Sequence, residues 1–282
     1  PKIEDFDDPT YDPFIAEEAI FGEIADIQGR IRQLRRERGS VIPVSFMELM
    51  GVSAQTDDAR FTILDYEDVA WVLTDYNSFS NACFSKTLGL TFGRTLSAMD
   101  QPEHGKYRRI FQKAFLPQHI ARWGDEIVDV VVNELIGKFR GRGEADLIEE
   151  FTKLYPFEII YRQLALPKGD GPVFHKLAVA GNFTHTSEGL EASRKLGVYF
   201  KALLDERRAV PTDDLASALV NAEADGEKLP EDVIISFLRQ LMNAAGDTTF
   251  RGTSVLLTGL LENPDQFDPL RKDRRLMPQA IE

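Results

Sequence analysis

The chain has 282 residues, 43% of them hydrophobic, with a formal net charge of −13 and one cysteine. That apolar content is ample for a large core, a lone cysteine excludes a disulfide framework and suits a reducing compartment, and the negative charge argues against general nucleic-acid binding. No run of about 18 apolar residues occurs and the first residues, Pro1–Asp8, are acidic, so a cytoplasmic protein without a membrane anchor is expected, its 282 residues forming one continuous domain.

In chain order, residues 26–38 read as a helix ending at Gly39, with Arg30, Arg32, Arg35, Arg36 and Arg38 crowded on it. Phe61–Leu64 reads as a short strand, and Asp65 caps a helix reaching about Thr74. Residues 77–99 have no sustained period; Phe84, Leu88, Leu90, Phe92 and Leu96 sit among Ser, Thr, Gly and Asn in a connection too long to be idle. Cys83, in the same stretch, reads as a small, partly buried hydrophobe.

Pro102 stands where a first-turn proline is tolerated, and the segment from Asp100 stops before Pro117, so a helix is expected between them. At about 100° per residue, His104, Arg108, Phe111 and Phe115 share one side, while Lys106, Arg109 and Lys113 share another. An arginine at the edge of an apolar stripe needs an anionic partner, and with a histidine one turn earlier the pair suits carboxylates or phosphates. The plainer reading is a snorkelling arginine and a hydrogen-bonded core histidine. Pro117 opens a further helix whose Ile120, Trp123, Ile127, Val131 and Leu135 form a core stripe. Helical patterns resume over residues 146–165, 172–183 and 187–208, with loops at 167–172 and 211–214.

Residues 229–264 read as one very long helix, apolar on more than one face over Val233–Leu241 and Val255–Leu261, as a helix through a protein interior would be. Its middle, Asn243-Ala-Ala-Gly-Asp-Thr-Thr249, is a polar break. Ala244 and Thr248 share a face, and a Thr hydroxyl bonded four residues back bends the helix toward a widened turn. The small Ala244, Ala245 and Gly246 leave room there for a flat cofactor or small ligand. A buried Asp247 has its carboxylate disfavoured by desolvation, which suits proton relay. Alternatively, Ala-Ala-Gly marks a close helix crossing. No dinucleotide or phosphate loop, zinc-protease motif or nucleophile elbow occurs, and His104, His119, His175 and His185 have no metal-ligand spacing.

The His104-x-x-x-Arg108 helix after Asp100-x-Pro-Glu, followed by Ala-Ala-Gly-Asp-Thr-Thr inside a long helix, resembles the cytochrome P-450 family, the haem-thiolate monooxygenases, in its soluble bacterial form. The resemblance covers nearly the whole chain and implies a mainly α fold with a small N-terminal β portion. It implies haem b as cofactor, with His104 and Arg108 on its propionates and Ala244 and Ala245 against its distal face. It also implies that Asp247 relays protons from solvent while the Thr248 hydroxyl stabilises the bound oxygen, and that Phe84, Leu88, Phe92, Phe174, Phe183 and Leu241 line an apolar substrate's pocket. Ala245 stands where the family usually has Gly. The family's outer face of the His104 helix receives a ferredoxin or flavodoxin, which Lys106, Arg109 and Lys113 fit. The family's Glu-x-x-Arg helix and iron-ligating cysteine are expected beyond Glu282, Cys83 lying where the family has no ligand. The alternative is a non-catalytic helical protein that holds an apolar ligand in the same pocket.

Overall fold

Helix-forming runs bounded by Pro, Gly and Asp dictate a mainly helical chain, and the computed structural model, which describes residues 26–49, 59–167, 171–183 and 186–281, has that character. Two compact units divide it: Phe14–Cys83, and a larger unit that includes Phe84–Glu282.

In the smaller unit, α1 (Ile27–Arg38) starts where the Asp26 carboxylate accepts from the Gly29 N–H at 2.7 Å, and stops at Gly39, whose φ of 87° favours glycine. Two two-residue strands, β1 (Val41–Ile42) and β2 (Thr62–Ile63), pair antiparallel, Val41 opposite Ile63. Between them, α2 (Phe46–Leu49) carries a capping box: Ser45 Oγ accepts from Glu48 N, and the Glu48 carboxylate accepts from Ser45 N. Asp65 occupies the N-cap position of α3 (Tyr66–Thr74) but makes no side-chain cap; its carboxylate pairs with Arg35 at 2.5 Å instead. Cys83 is exposed rather than partly buried, because the 3₁₀ turn Asn81–Lys86 that carries it lies at the surface.

In the larger unit, α4 (Leu88–Phe92) leads to α5 (Glu103–Ala114). Then α6 (Pro117–Trp123) runs through the five-residue π turn Gly124–Val128 into α7 (Asp129–Phe139). That wider turn carries an extra residue and shifts the phase of the side chains. The expected stripe is therefore split: Val131 and Leu135 are buried, whereas Ile120 is 54% exposed. Next come α8 (Tyr155–Gln163), α9 (Gly171–Ala180), α10 (Ser187–Ala209) and α11 (Leu215–Asn221). A short hairpin of β3 (Glu223–Ala224) and β4 (Glu227–Lys228), which the sequence reading missed, precedes α12 (Glu231–Glu262). Two short helices follow, α13 (Pro264–Lys272) and α14 (Met277–Ile281).

The core forms where α12 packs on α8, α9 and α10. Val233, Ile234, Leu238 and Met242 of α12 are buried in the same layer as Phe157, Ile160, Leu196, Phe200 and Leu204. At roughly 1.5–3 kcal/mol for each large apolar side chain, this layer is the unit's main stabilisation. The second flank of α12 departs from the interior environment expected for it: Val255 is 74% and Leu261 57% exposed. One side of that flank is held by hydroxyl contacts, Thr152 to Ser254 at 2.7 Å and Tyr155 to Thr253 at 2.6 Å, and among the described residues nothing covers the opposite side.

Candidate functional site

The polar middle of α12 resolves into two opposed faces. At helical spacing, Phe237, Leu241, Ala244 and Thr248 fall on one side and Gly246 on the other. Gly246 is buried, and a Cβ there would lie 2.7 Å from Cε2 of Phe157 on α8 and closer still to Cζ and Cε1, so this glycine makes a close helix crossing. Ala244 and Thr248 are exposed and Ala245 partly so. The crossing and the open small-residue face thus coexist.

Thr248 Oγ1 donates to the Ala244 carbonyl at 2.7 Å, the expected back-bond, yet α12 stays α-helical throughout and no widened turn forms. One hydroxyl can share a carbonyl with the helical ladder without opening it. Asp247 is not an isolated buried acid: its side chain is 16% exposed, and Oδ1 accepts from Arg251 Nε one turn on at 3.0 Å.

The His104 helix forms over α5, with Tyr107, Ile110, Phe111 and Ala114 buried. Phe111 stacks on Phe237 of α12, ring centroids 4.2 Å apart, and Phe115 meets the same ring edge-on at 6.1 Å. The α5 face that carries His104 and Arg108 and the α12 face that carries Ala244 and Thr248 therefore share one aromatic contact. Arg108 is exposed rather than set in the apolar stripe, and among the described residues it makes no ion pair; the His104 ring meets only the Gln101 side chain, at 3.4 Å.

The connection between α4 and α5 stitches these two helices. Gly93, with φ of 86°, turns the chain so that Arg94 N donates to Ser236 Oγ at 2.9 Å, and a Cβ on Gly93 would come within 2.6 Å of that oxygen. The Arg94 guanidinium pairs with Glu103 of α5 and with Asp232 of α12, and the hydrogen bond to Glu103 raises its pKa above the ordinary arginine range. Gln240 Nε2 donates to Ser97 Oγ at 2.7 Å. The sequence reading assigned no role to Arg94 or Gln240. Their signal was available only as a charged or amide side chain among apolar neighbours.

On the outer face of α5, Lys106 pairs with Glu227 at 2.6 Å and Lys113 donates to the Glu223 carbonyl at 2.5 Å. The β3–β4 hairpin thus occupies two of the three cations singled out there, and Arg109 stays exposed.

The wall candidates separate. Phe84 is exposed and Leu88 and Leu241 are half-buried, while Phe92, Phe174 and Phe183 are buried. Phe174 is packed edge-on against Tyr199 at 4.6 Å, inside the layer of α8, α9 and α10. Phe92 lies 3.6 Å from the position a Cβ on Gly181 would take, beside the end of α9. No cluster of metal-ligating side chains occurs among the described residues, and His185 lies outside them.

Haem b fits this donor set. Arg108, exposed and without an ion pair among the described residues, and His104, which meets no carboxylate among them, suit anionic propionates, and the exposed Ala244 and Thr248 positions suit a flat ring. The comparisons agree on the class of protein. No protein-family model matches the chain. Over 242 residues, 82% of the chain, it is 31% identical to the Bacillus subtilis protein YjiB, whose name assigns it to the cytochrome P450s, and covers 60% of that protein. It is also 31% identical over 274 residues, 90% of the chain, to the methyl-branched lipid omega-hydroxylase of Mycobacterium tuberculosis, covering 62% of it. The structure of cytochrome P450 CYP109Q5 from Chondromyces apiculatus superposes with a TM-score of 0.75 at 26% identity, over 90% of this chain and 63% of that one.

The chain belongs to the cytochrome P450 family, which carries haem, and has the mainly helical fold expected. It spans about three fifths of the length of the curated relatives it matches. No described helix is long and apolar enough to cross a membrane.

Proposed function

We propose that this chain, both units in one P450-type domain, is the haem-facing part of a monooxygenase that inserts one oxygen atom from dioxygen into a largely apolar small molecule. The observation that carries the reading is the Phe111–Phe237 stack, which ties the His104/Arg108 face of α5 to the Ala244/Thr248 face of α12. When bound, haem supplies oxygen activation and the oxidation itself. The chain's own part is placement and protons. Arg108 and His104 would hold the haem propionates by charge-assisted hydrogen bonds. Ala244 and Ala245, small side chains on α12, would leave room for the ring. Thr248 keeps a hydroxyl proton at Oγ1, lent in the resting helix to the Ala244 carbonyl. Asp247, released from Arg251, is the group that replenishes that proton from solvent.

The apolar substrate is favoured by the apolar character of Phe92, Phe183 and Leu241 and by likeness to a protein named a methyl-branched lipid omega-hydroxylase. Electrons would come from an acidic ferredoxin or flavodoxin, and a cytoplasmic location accords with such a partner. The test is an absorption spectrum of the product of the natural reading frame, reduced with dithionite under carbon monoxide. A red-shifted Soret band, lost in an Arg108→Leu/His104→Leu double variant that still folds, is the expected result. A folded parent with no haem signal overturns the reading and leaves an apolar-ligand binding protein in its place.

A further inference from the structure

Beside Ala244, on the α12 face toward α9, lies a pair of amides. Asn243 Nδ2 donates to the Ala178 carbonyl at 3.0 Å and to Asn182 Oδ1 at 2.7 Å. The orientation of both amides follows from this arrangement. A backbone carbonyl only accepts, so Asn243 must turn its NH2 toward Ala178, and both of its hydrogens are then spent. Asn182 must answer with its oxygen, because turning it would set NH2 against NH2. Its own two amide hydrogens are consequently directed away from the pair, and Asn182 Nδ2 is buried with no hydrogen-bond partner among the described residues.

A buried donor left unmade is costly, and here it is held in that state by a fixed network. It also stands among residues that the family resemblance puts on the pocket wall. Asn182 precedes Phe183, and Asn243 lies between Leu241 and Ala244. Gly181, the residue before Asn182, approaches Phe92. Thr91, next to Phe92, adds a second buried polar atom, Oγ1, without a partner among the described residues, while its carbonyl is taken by Ser193 Oγ. Two unsatisfied polar atoms thus flank the Phe92–Gly181 contact.

We propose that Asn182 is a specificity-determining residue that donates from Nδ2 to an oxygen acceptor, a ketone, ester or amide carbonyl, on an otherwise apolar substrate. Asn243 is its positioning residue. This rests on the monooxygenase reading for the pocket's purpose, but its test does not need turnover.

The probes are cyclooctanone, cyclododecanone and cyclopentadecanone, each beside its parent cycloalkane, with affinities measured by equilibrium dialysis against the full chain. The ketone-to-alkane affinity ratio in the parent, divided by the same ratio in Asn182→Leu, cancels the difference in hydration of the two probes. For at least one ring size we expect that quotient to be about tenfold or more, the worth of one well-made buried hydrogen bond. Asn182→Ala serves if the Leu variant does not fold. Asn243→Ala should lower the ketone's affinity and leave the alkane's unchanged, whereas a merely structural role would move both. A quotient near one at every ring size overturns the proposal, with a buried water as the occupant of Asn182 Nδ2. The carbon monoxide spectrum of the same samples reports separately on haem, so failure of the anchor and failure of the monooxygenase reading are distinguishable.

Discussion

Gly246 of the long helix presses against the ring of Phe157, and half a turn away Thr248 lends its hydroxyl to Ala244 on an open face. The six-residue string from Ala244 to Thr249 therefore does two jobs at once. Its Gly246 fixes how deeply α12 sits against α8, while its Ala244, Thr248 and Thr249 stay exposed. Placement of the Ala244/Thr248 face is inherited from the crossing beneath it.

Gly246→Ala is accordingly expected to destabilise the fold by about 1–3 kcal/mol, the usual cost of overpacking a close contact. Phe157 belongs to the buried core and cannot swing into solvent. Urea unfolding of parent and variant measures this, and a change under about 0.5 kcal/mol would show that the crossing relaxes freely. Pairing the change with Phe157→Leu should recover part of the loss, because the clash is with the ring.

Much of this was legible in the sequence. The long helix, the His104 helix and the placement of Ala244, Asp247 and Thr248 followed from spacing, since helical periodicity depends only on neighbours in the chain. What failed had separate causes. Asp247 reads as a buried acid until its partner Arg251, four residues on, is placed beside it. Asp65 was read as a cap because nothing local announces Arg35, thirty residues earlier, as its partner. The split of the Ile120–Leu135 stripe came from a π turn, which periodicity at 3.6 cannot anticipate. The hairpin at Glu223–Lys228 is too short to leave an alternating pattern.

Thr248→Ala removes an exposed hydroxyl whose one bond among the described residues is to the Ala244 carbonyl of the same helix, so its effect on stability should stay within about 0.5 kcal/mol. Its effect on chemistry should be large. Product formed per electron pair consumed is expected to fall several-fold, with electron consumption largely kept. Asp247→Asn should instead slow turnover, on the order of 10²-fold, by withdrawing the group proposed to supply the proton. Equal coupling in Thr248→Ala and parent would refute the role given to that hydroxyl.

Tyr161 is buried and donates from its hydroxyl to the Gly171 carbonyl at 2.6 Å. Burial, assisted by the nearby Glu158 carboxylate, holds its phenol protonated far above the ordinary tyrosine range. The unfolded chain loses that proton near pH 10 and the folded chain does not. Stability from this group is therefore complete below about pH 10 and declines by up to ~1.4 kcal/mol per pH unit above it. Tyr161→Phe forfeits about 1 kcal/mol at neutral pH with the lost hydrogen bond, but its alkaline decline should be shallower than the parent's. Denaturant titrations from neutral pH to about pH 11 compare the slopes, and parallel slopes would place the alkaline sensitivity elsewhere.

The hairpin's grip on α5 sharpens where an acidic redox partner would dock. Lys106 is held protonated above the usual lysine range by its hydrogen bond to Glu227, and Lys113 is bonded to the Glu223 carbonyl, so neither presents a fully unsatisfied charge. Arg109 shares their face and is exposed, with no ion pair among the described residues. Arg109→Glu should slow reduction by a ferredoxin or flavodoxin about tenfold at low ionic strength, the gap closing as salt screens the encounter. Lys106→Ala should have the smaller effect, since it removes a charge that Glu227 already balances. Stopped-flow reduction across a salt series decides the matter. A larger effect from Lys106 than from Arg109 would mean that the partner displaces the hairpin or docks on another surface.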